Sequence, residues 1–422
     1  MKVLWLTNIL LPEAYKILTG KERHGSGGWL ESSANGVVET EIVSLNIATA
    51  SSMVKELVIL QGKKITYYVF PFSKEYKAES YEPYMMALRN TISPDIVHVH
   101  GTEFPYGLAY MNVSGSDNVV VSMQGVIGII AEKYFDGLSK WQIFKNITLR
   151  DICIKTIFGE KKEYRARGLR EVETIKKAKY VIGRTDFDRQ YILSINPKCK
   201  YMHCNESLRE EFYHHKWCYE ACIPHTIFLS QSNYPVKGLH QFLKVLPNLK
   251  RKYPDIQVRI AGEDITKHKT ISEYMKYSGY GSIIYHLIKN FHLEDCVHFT
   301  GLLNEQEMVR EYLNANVFVC PSTCENSSNS IAEAQILGVP CVASDRGGNA
   351  DMIPDMRYGV LYDFYDLVSL NKALEKLFEH TVSYDNTVCI KMAKKRHNKK
   401  ENLKRTLEIY QTIYNRLYES TY

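Results

Sequence analysis

Short apolar runs alternate with helical stretches along most of the chain, and this alternation limits the possible folds more than any other feature. The runs that we interpret as strands form two successive series. They are residues 3–6, 56–60, 66–70, 94–100, 118–123 and 179–183, followed by 226–230, 257–261, 297–300, 316–320 and 339–343. Strands separated by helices indicate parallel βαβ units. The sequence therefore predicts an α/β protein built on parallel sheets.

The chain length of 422 residues indicates two domains. The break between the two series of strands lies near residues 205–225. We therefore predict an N-terminal domain over residues 1–215 and a C-terminal domain over residues 216–395. The last stretch, 396–422, has the apolar spacing of a helix.

The segment 126–178 is longer than a simple crossover between two strands. It carries aromatic and basic side chains, among them Trp141, Phe144 and Arg165. We interpret it as a helical elaboration of the N-terminal domain. Two alternatives stay open for its role: contact with an acceptor or a membrane surface, or a solvated helical hairpin.

The composition excludes several classes of protein. The formal charge of +6 and the isoelectric point near 8.6 are lower than expected for a dedicated nucleic-acid binder. They fit acidic small molecules or an anionic membrane surface. No apolar run reaches the roughly 18 residues of a membrane span, and the ten cysteines show no paired zinc pattern. We expect reduced cysteines in a cytoplasmic protein, with no bound metal.

One stretch of the second series carries the strongest functional signal. The apolar run 316–320 stops at Pro321, and a polar loop follows it. A helix is predicted to start near residues 327–330 and to end at Gly338. The next apolar run ends at a glycine pair, Gly347 and Gly348. In open α/β sheets, loops at the carboxyl ends of strands bind ligands, so this loop is a candidate ligand site.

The loop and the first turns of its helix are dense in groups that recognise hydroxyls and anions. These residues are Glu325, Asn326, Ser327, Ser328, Asn329, Ser330 and Glu333. The free N–H groups and partial positive charge of a helix N-terminus favour a phosphate. The spacing of the two glutamates proves little, because Glu31 and Glu39 are also eight residues apart. Capping and turn chemistry is the alternative interpretation of the cluster.

Lys237 and several glycines are further candidates, since each lies near the end of a predicted strand or in a turn. A lysine after a strand can reach a diphosphate as a point charge, although most lysines are surface residues. Gly262 lies where a base or ribose would be enclosed, or in an ordinary turn. The glycine loop that contains Gly27 and Gly28 either approaches a ligand closely or is a flexible turn.

Together these residues resemble the family-four nucleotide-sugar glycosyltransferases, which have the GT-B fold. The resemblance covers essentially the whole chain and is strongest over residues 316–353. It rests on Glu325 and Glu333 with seven residues between them, and on Gly338-Val339-Pro340, Ser344-Asp345-Arg346-Gly347-Gly348, Lys237-Gly238 and Gly27-Gly28. The resemblance implies two Rossmann-like, doubly wound domains facing across a cleft. It also implies that the helix at 396–422 packs back on the N-terminal domain.

The resemblance implies a role for each matched residue. Lys237 would bind the diphosphate of the donor, Glu325 the sugar hydroxyls, and Glu333 the ribose hydroxyls. The backbone N–H groups at 327–330 would contact phosphate or sugar. Transfer would occur with retention, from a UDP- or GDP-sugar, without a metal or cofactor. The expected acceptor is a glycan or a lipid-linked molecule of cell-surface polysaccharide assembly, at the inner face of the membrane or free in the cytoplasm, with no nucleic acid involved.

Two positions depart from the family pattern. The family has an arginine six residues before the lysine, where this chain has Gln231; Arg184 and Arg346 are candidate replacements. The family also has a histidine that closes a strand of the first domain near the reacting sugar. Here Gln124 takes that place, and its amide can donate to a sugar but cannot act as an acid or base. His100, on the preceding strand, is a second candidate.

Three functions therefore remain in view: a retaining glycosyltransferase, a GT-B epimerase or hydrolase, and a nucleotide-sugar-binding protein with weak or lost activity. A glycosidase pair needs two carboxyls roughly 5–10 Å apart. Two glutamates eight residues apart on one continuous helix would be separated by about 12 Å. We therefore favour the transferase, with Lys237, Glu325 and Gln124 as its catalytic residues.

Overall fold

The computed structural model describes residues 1–22, 28–380 and 384–419, and the chain divides into two compact units. The first unit comprises Met1–Gly128, Ala166–Arg209 and His397–Tyr422. The second unit comprises Ile129–Arg165 and Glu210–Arg396. Each unit is built around its own sheet.

The strands are numbered here in chain order. They are β1 (Lys2–Thr7), β2 (Ser44–Ser51), β3 (Val58–Gln61), β4 (Thr66–Pro71), β5 (Ile96–His100), β6 (Val119–Ser122), β7 (Tyr180–Gly183), β8 (Lys200–His203), β9 (Thr226–Leu229), β10 (Gln257–Ile260), β11 (Val297–Phe299), β12 (Val317–Cys320), β13 (Cys341–Ser344) and β14 (Val360–Tyr362).

The helices follow the same order. They are α1 (Pro12–Thr19), α2 (Gly28–Glu39), α3 (Glu82–Ile92), α4 (Pro105–Ser114), α5 (Ile127–Glu132), α6 (Lys140–Lys145), α7 (Leu149–Cys153), α8 (Ile157–Lys177), α9 (Asp186–Ile195), α10 (Leu239–Phe242), α11 (Leu246–Lys252), α12 (Ile271–Lys276), α13 (Gly279–Asn290), α14 (Glu305–Asn314), α15 (Asn329–Leu337), α16 (Asn349–Met352), α17 (Leu367–Phe378), α18 (Asn386–Arg396) and α19 (Lys399–Glu419). Short 3-10 helices occupy Glu210–Tyr213, Tyr219–Ala221 and Pro235–Lys237.

The sheet of the first unit has the strand order β3-β4-β2-β1-β5-β6-β7-β8. All neighbouring pairs are parallel except β3 and β4, which are antiparallel. Every residue of β5, β6 and β7 is buried. Continuous apolar runs such as these are typical of parallel strands covered on both faces.

The sheet of the second unit is entirely parallel, in the order β11-β10-β9-β12-β13-β14. The chain leaves β9 toward β10 on one side, and later returns to β12 on the other side of β9. This reversal of strand order is a topological switch point, where the loops that follow two adjacent strands diverge and leave a crevice. In the second unit, this crevice lies at the carboxyl ends of β9 and β12.

Two segments cross between the units along the chain: residues 129–165 and the C-terminal helix. We predicted residues 126–178 to elaborate the N-terminal domain, but residues 129–165 belong to the second unit. Tyr134, Leu138 and Ile143 are buried in the same hydrophobic core as β9 and β12, which explains the assignment. Helix α19 belongs to the first unit, where Tyr410 lies in the core.

Among the described residues, no helix combines the length and the apolar character that crossing a bilayer requires.

Candidate functional site

The switch point of the second unit brings together the two segments that carry the strongest sequence signals. The turn with Lys237 follows β9, and the loop with Glu325 follows β12. Because β9 and β12 are parallel neighbours, with Ile227 beside Val317, both segments leave the sheet at the same edge.

Backbone contacts join the two segments. The N–H of Thr323 donates to the carbonyl of Val236 at 2.7 Å. Gly238 has a φ of +70°, and a Cβ built there would lie 1.7 Å from the carbonyl oxygen of Pro321. Only glycine permits both the left-handed conformation and this close approach. The Lys237-Gly238 pair therefore positions the lysine directly against the Glu325 loop.

An ion pair completes the junction. The Lys237 ammonium lies 2.7 Å from Oε1 of Glu325, and the Ser322 hydroxyl donates to the same oxygen at 2.7 Å. The two side chains are 19% and 15% exposed. Burial alone would lower the pKa of Lys237, but the adjacent Glu325 carboxylate raises it above the ordinary lysine value. The lysine is therefore cationic at neutral pH and held in one direction.

The helix N-terminus lies beside this ion pair. Helix α15 begins at Asn329, and the Ser328 side chain caps it by accepting from the N–H of Ile331 at 3.4 Å. The hydroxyl of Ser330 accepts from the hydroxyl of Ser230 at 2.7 Å, which ties the first turn of the helix to the end of β9. The positive end of α15 is thereby fixed at the same edge as Lys237.

Glu333 lies deeper, one turn into α15. It is 6% exposed, and the Tyr312 hydroxyl donates to its Oε2 at 3.3 Å. Asn326 and Ser328 are also buried, whereas Ser327, Asn329 and Ser330 are partly exposed. The structure thus brings the predicted donor-binding residues of this loop together, with some side chains facing the protein interior.

The glycine pair after β13 supports the Glu325 loop from the other side. The N–H of Gly348 donates to the Glu325 carbonyl at 2.9 Å. A Cβ built on Gly347, whose φ is +65°, would lie 2.0 Å from that same carbonyl oxygen. The Ser344 hydroxyl also donates to the Ser322 carbonyl at 2.6 Å. The glycines are needed for packing against the loop, a reason that the sequence alone did not reveal.

Two further glycines line the same edge of the sheet. Gly262 follows β10 and Gly301 follows β11, and their backbones are joined by hydrogen bonds of 2.9 and 3.1 Å. A Cβ at either position would meet no atom within 4 Å. The backbone at Gly262 therefore faces open space, as a ligand-contacting turn requires.

The position of the missing arginine is occupied by an exposed amide. Gln231 donates to the Asn233 side chain at 3.2 Å. Arg346, a candidate replacement, lies in the loop after β13, where its guanidinium packs over the rings of Phe364 and Tyr365 at 5.3 and 4.9 Å. It lies one residue before the glycine that contacts the Glu325 backbone.

Arg184, the other candidate, belongs to the first unit. It is buried, forms an ion pair with Glu206, and donates to the carbonyls of Met123 and Gln124 at 3.1 and 3.0 Å. The Gln124 amide donates to Glu206 at 3.0 Å. These contacts make Arg184 an anchor of the loop that carries Gln124.

His100 ends strand β5 in the first unit and is buried. Its ring stacks on His98 with centroids 3.9 Å apart, and neither ring nitrogen has a hydrogen-bond partner within the described ranges. Burial, together with the neighbouring His98, lowers the pKa of His100 well below the usual value. Its imidazole is therefore neutral near pH 7.

Gly28 begins α2 of this unit, and Gly27 lies outside the described residues.

Glu171 is a buried carboxylate of the first unit that sequence reasoning missed. It accepts from the N–H groups of Ile127 and Gly128 at 3.2 and 3.0 Å, and from the hydroxyls of Thr102 and Tyr191 at 2.8 and 2.9 Å. Burial raises its pKa to about 7, although these donors favour the ionised form. Glu171 thus fixes the loop that follows Gln124. No local sequence signal marks it, because its partners come from three distant segments.

The described residues contain no cluster of three metal-ligating side chains. The Asp-x-Asp sequence at Asp186 and Asp188 serves a different purpose. Asp188 accepts from the N–H groups of Arg184 and Thr185 at 2.8 and 3.4 Å and so caps α9. All ten cysteines are free thiols.

The second unit contains most of a region that matches a known protein family. Residues 224–404 match the family model described as Glycosyl transferases group 1. The matched region contains the Lys237 turn, the Glu325 loop and α15.

Curated relatives match over part of their length. Spore coat protein SA of Bacillus subtilis (strain 168) is 26% identical over 158 residues, which cover 35% of this chain and 40% of that protein. The chain spans between 33% and 40% of the length of the first curated relatives that it matches.

Solved structures share the fold over nearly the whole chain. Sucrose-phosphate synthase from Thermosynechococcus elongatus superposes with a TM-score of 0.68 at 14% identity, covering 99% of each chain. Anabaena HepE, solved in complex with UDP, superposes with a TM-score of 0.64 at 13% identity, covering 98% of this chain and 100% of that one. The predicted α/β fold with two Rossmann-like, parallel-sheet domains is confirmed.

Replacing Gly238 by alanine should destabilise the second unit, because the added Cβ meets the Pro321 carbonyl. Gly20 is a matched control, since its φ is +71° but no atom lies within 4 Å of its Cβ position. Left-handed strain alone costs about 1–2 kcal/mol. Chemical denaturation should show a loss near that value for Gly20→Ala and a clearly larger loss for Gly238→Ala. Equal losses would contradict the close-approach argument.

The pKa of Glu171 predicts a pH dependence. Its folded value of about 7 exceeds the ordinary value of 4.5, so its stabilising contribution is complete below about pH 4.5 and is lost as pH rises through about 7. The free energy of unfolding of Glu171→Gln relative to wild type should therefore rise over that interval, by on the order of 3 kcal/mol. Denaturant titrations from pH 4.5 to pH 8 measure this difference.

Glu173→Gln, an exposed change on the same helix, is the control for that experiment and should show little change relative to wild type. A flat difference for Glu171→Gln across the whole pH range would refute the raised pKa.

Proposed function

We propose that this protein is a retaining glycosyltransferase that moves a sugar from a nucleotide diphosphate sugar to an acceptor hydroxyl without a bound metal. One observation carries the proposal: the switch point of the second unit places the Lys237 ammonium, the Glu325 carboxylate and the N-terminus of α15 at one edge of the sheet. The match of residues 224–404 to glycosyl transferases group 1 supports it.

Each part of this arrangement suits one part of such a donor. A diphosphate is anionic, and both an ammonium and a helix N-terminus stabilise anions. Oε1 of Glu325 accepts from Lys237 and Ser322, while no hydrogen bond to its Oε2 occurs within the described ranges. That oxygen suits a sugar hydroxyl. Glu333, in α15, suits the hydroxyls of the ribose.

The proposed chemistry relies on electrostatics. The bond between the anomeric carbon and the diphosphate oxygen breaks, and negative charge grows on the leaving group. Lys237 and the N–H groups of α15 stabilise that charge, which is the kind of preorganised effect that dominates many enzymes. The acceptor hydroxyl attacks from the face that the diphosphate leaves, and its proton passes to the departing phosphate oxygen.

In the first unit, Gln124 is the proposed sugar contact, whereas both ring nitrogens of His100 are buried. The Gln124 amide can hydrogen-bond to a hydroxyl and does not need to accept a proton in this scheme. Glu171 and Arg184 position the loop that carries Gln124. We therefore propose Gln124 as an orienting residue.

The choice of base and acceptor belongs to the proposal as well. HepE was solved with UDP, and a GDP-mannose-dependent alpha-mannosyltransferase of Mycolicibacterium smegmatis is 37% identical over 65 residues. Both UDP- and GDP-sugars are therefore candidate donors. We propose a glycan or lipid-linked acceptor from cell-surface polysaccharide assembly, reached at an anionic membrane from the cytoplasmic side.

Replacing Lys237 by methionine should keep the aliphatic packing but remove the charge. By analogy with the loss of one transition-state donor, kcat should fall about 10²–10³-fold, and affinity for UDP should fall too. Donor turnover and calorimetric UDP binding measure the two effects. Lys289→Met is the matched control, because Lys289 forms an exposed pair with Glu294 at 2.8 Å.

The double variant Lys237→Met/Glu325→Gln separates chemistry from folding, since it does not leave a carboxylate without its cation. If it melts like wild type yet stays inactive, the loss of activity follows from removing the ion pair and not from unfolding. Wild-type turnover in Lys237→Met would refute the assigned role.

Thermal-shift screening against UDP, GDP and ADP, each with and without a sugar, identifies the base. A ligand that binds only the folded state raises the melting temperature by mass action. We expect one nucleotide diphosphate to shift the wild type and to have a much smaller effect on Lys237→Met. No shift with any of these compounds at millimolar concentration would contradict the proposed donor class.

A further inference from the structure

Two segments of the second unit expose an unusual number of large apolar side chains. The first segment, residues 139–155, contains α6 and α7; the second, residues 267–276, contains α12. Trp141 is 70% exposed and Ile271 is 87% exposed. The exposed apolar residues of the two segments, here called the apolar-basic face, are Trp141, Phe144, Leu149, Ile152, Ile154, Ile271, Tyr274 and Met275.

These side chains recur at helical spacing on the solvent side of each helix. In α6, Ile143 is buried in the core while Trp141 and Phe144 point outward, with their rings stacked at 6.4 Å between centroids. In α12 no residue is buried. Both helices thus present apolar side chains to solvent, which a purely structural hairpin does not require.

Hydrogen bonds fasten the first segment to residues 277–282, which directly follow the second segment. The Thr148 hydroxyl donates to the Tyr277 carbonyl at 2.8 Å, and the buried Asp151 carboxylate accepts from the N–H of Gly279 at 2.8 Å. The Ser282 hydroxyl donates to the Asn146 side chain at 2.8 Å. The exposed apolar groups therefore belong to one pre-formed surface.

The charge on the surface of these segments is predominantly positive. The exposed lysines are Lys140, Lys145, Lys267, Lys269 and Lys276. The carboxylates of the two segments are Asp151, which is buried, and Glu273, which accepts from the N–H groups of Lys269 and Thr270 at 3.0 Å. The surface seen by a partner is therefore cationic.

This combination selects one kind of partner. Protein interfaces are depleted in lysine, and a nucleic acid offers no apolar phase for isoleucine and leucine. At a bilayer surface, tryptophan and tyrosine occupy the headgroup region, aliphatic side chains reach the acyl boundary, and lysines meet anionic lipids. We propose that the apolar-basic face docks the protein on an anionic lipid surface. The lipid docking rests on the proposed function in one respect, because it locates the membrane contact proposed there.

Vesicle co-sedimentation of the full chain tests the proposal. Wild type should bind vesicles of phosphatidylcholine mixed with phosphatidylglycerol, and should bind pure phosphatidylcholine at least tenfold more weakly. Trp141→Glu/Phe144→Glu should reduce binding to the mixed vesicles at least tenfold. Val368→Glu, an exposed apolar site elsewhere in this unit, should bind like wild type.

The same proteins are checked with the nucleotide thermal shift, so that failure of lipid docking and failure of donor binding are distinguishable. Unchanged vesicle binding by Trp141→Glu/Phe144→Glu would overturn the proposal, and so would absence of binding by wild type. Self-association of wild type without vesicle binding, abolished in that variant, would assign the face to a second copy instead and also overturn it.

A site-specific readout comes from the two exposed cysteines. Cys153 lies within the proposed face and Cys218 lies outside it. An environment-sensitive fluorophore on Cys153, in a Cys218→Ser background, should gain intensity and shift to the blue with anionic vesicles. The same label on Cys218, in a Cys153→Ser background, should not respond. Equal responses from the two labels would contradict the location.

Discussion

The contact between the Lys237 turn and the Glu325 loop is the interaction on which the candidate site depends. It exists because β9 and β12 are parallel neighbours at a switch point, so their following loops leave the same edge of the sheet. Gly238 then allows the lysine turn to lie against the Pro321 carbonyl. The ion pair, the Ser322 hydroxyl and the capped start of α15 all depend on that approach.

In the proposed function, a dianionic group would bind where Lys237, held by Glu325, supplies the positive charge. Gln231 contributes no charge, and Arg184 is occupied in anchoring the Gln124 loop. The Lys237 charge is oriented by Glu325 instead of by a second cation. In the proposed mechanism, the backbone N–H groups of α15 therefore carry a larger share of phosphate recognition than in a site with two cations.

Local chemistry made part of this structure predictable. The polar loop, the start of α15 and its end at Gly338 follow from capping residues and glycine punctuation near each position. The division at 129–165 was not predictable, because it depends on Tyr134 and Ile143 packing into a core whose strands begin only at Thr226. Glu171 was missed for the same reason, since its partners at Thr102, Gly128 and Tyr191 come from separate segments. Burial of Asn326 likewise depends on tertiary packing.

Hydrogen–deuterium exchange of the full chain with and without UDP tests whether the Lys237 turn and the Glu325 loop form the nucleotide site. We expect slower exchange in peptides that cover 230–238 and 322–332, because these contain the lysine turn, the glutamate loop and the first turn of α15. Lys237→Met should lose that protection at the same UDP concentration. Unchanged exchange in both peptides at saturating UDP, or protection found only elsewhere, would show that UDP binds at another place.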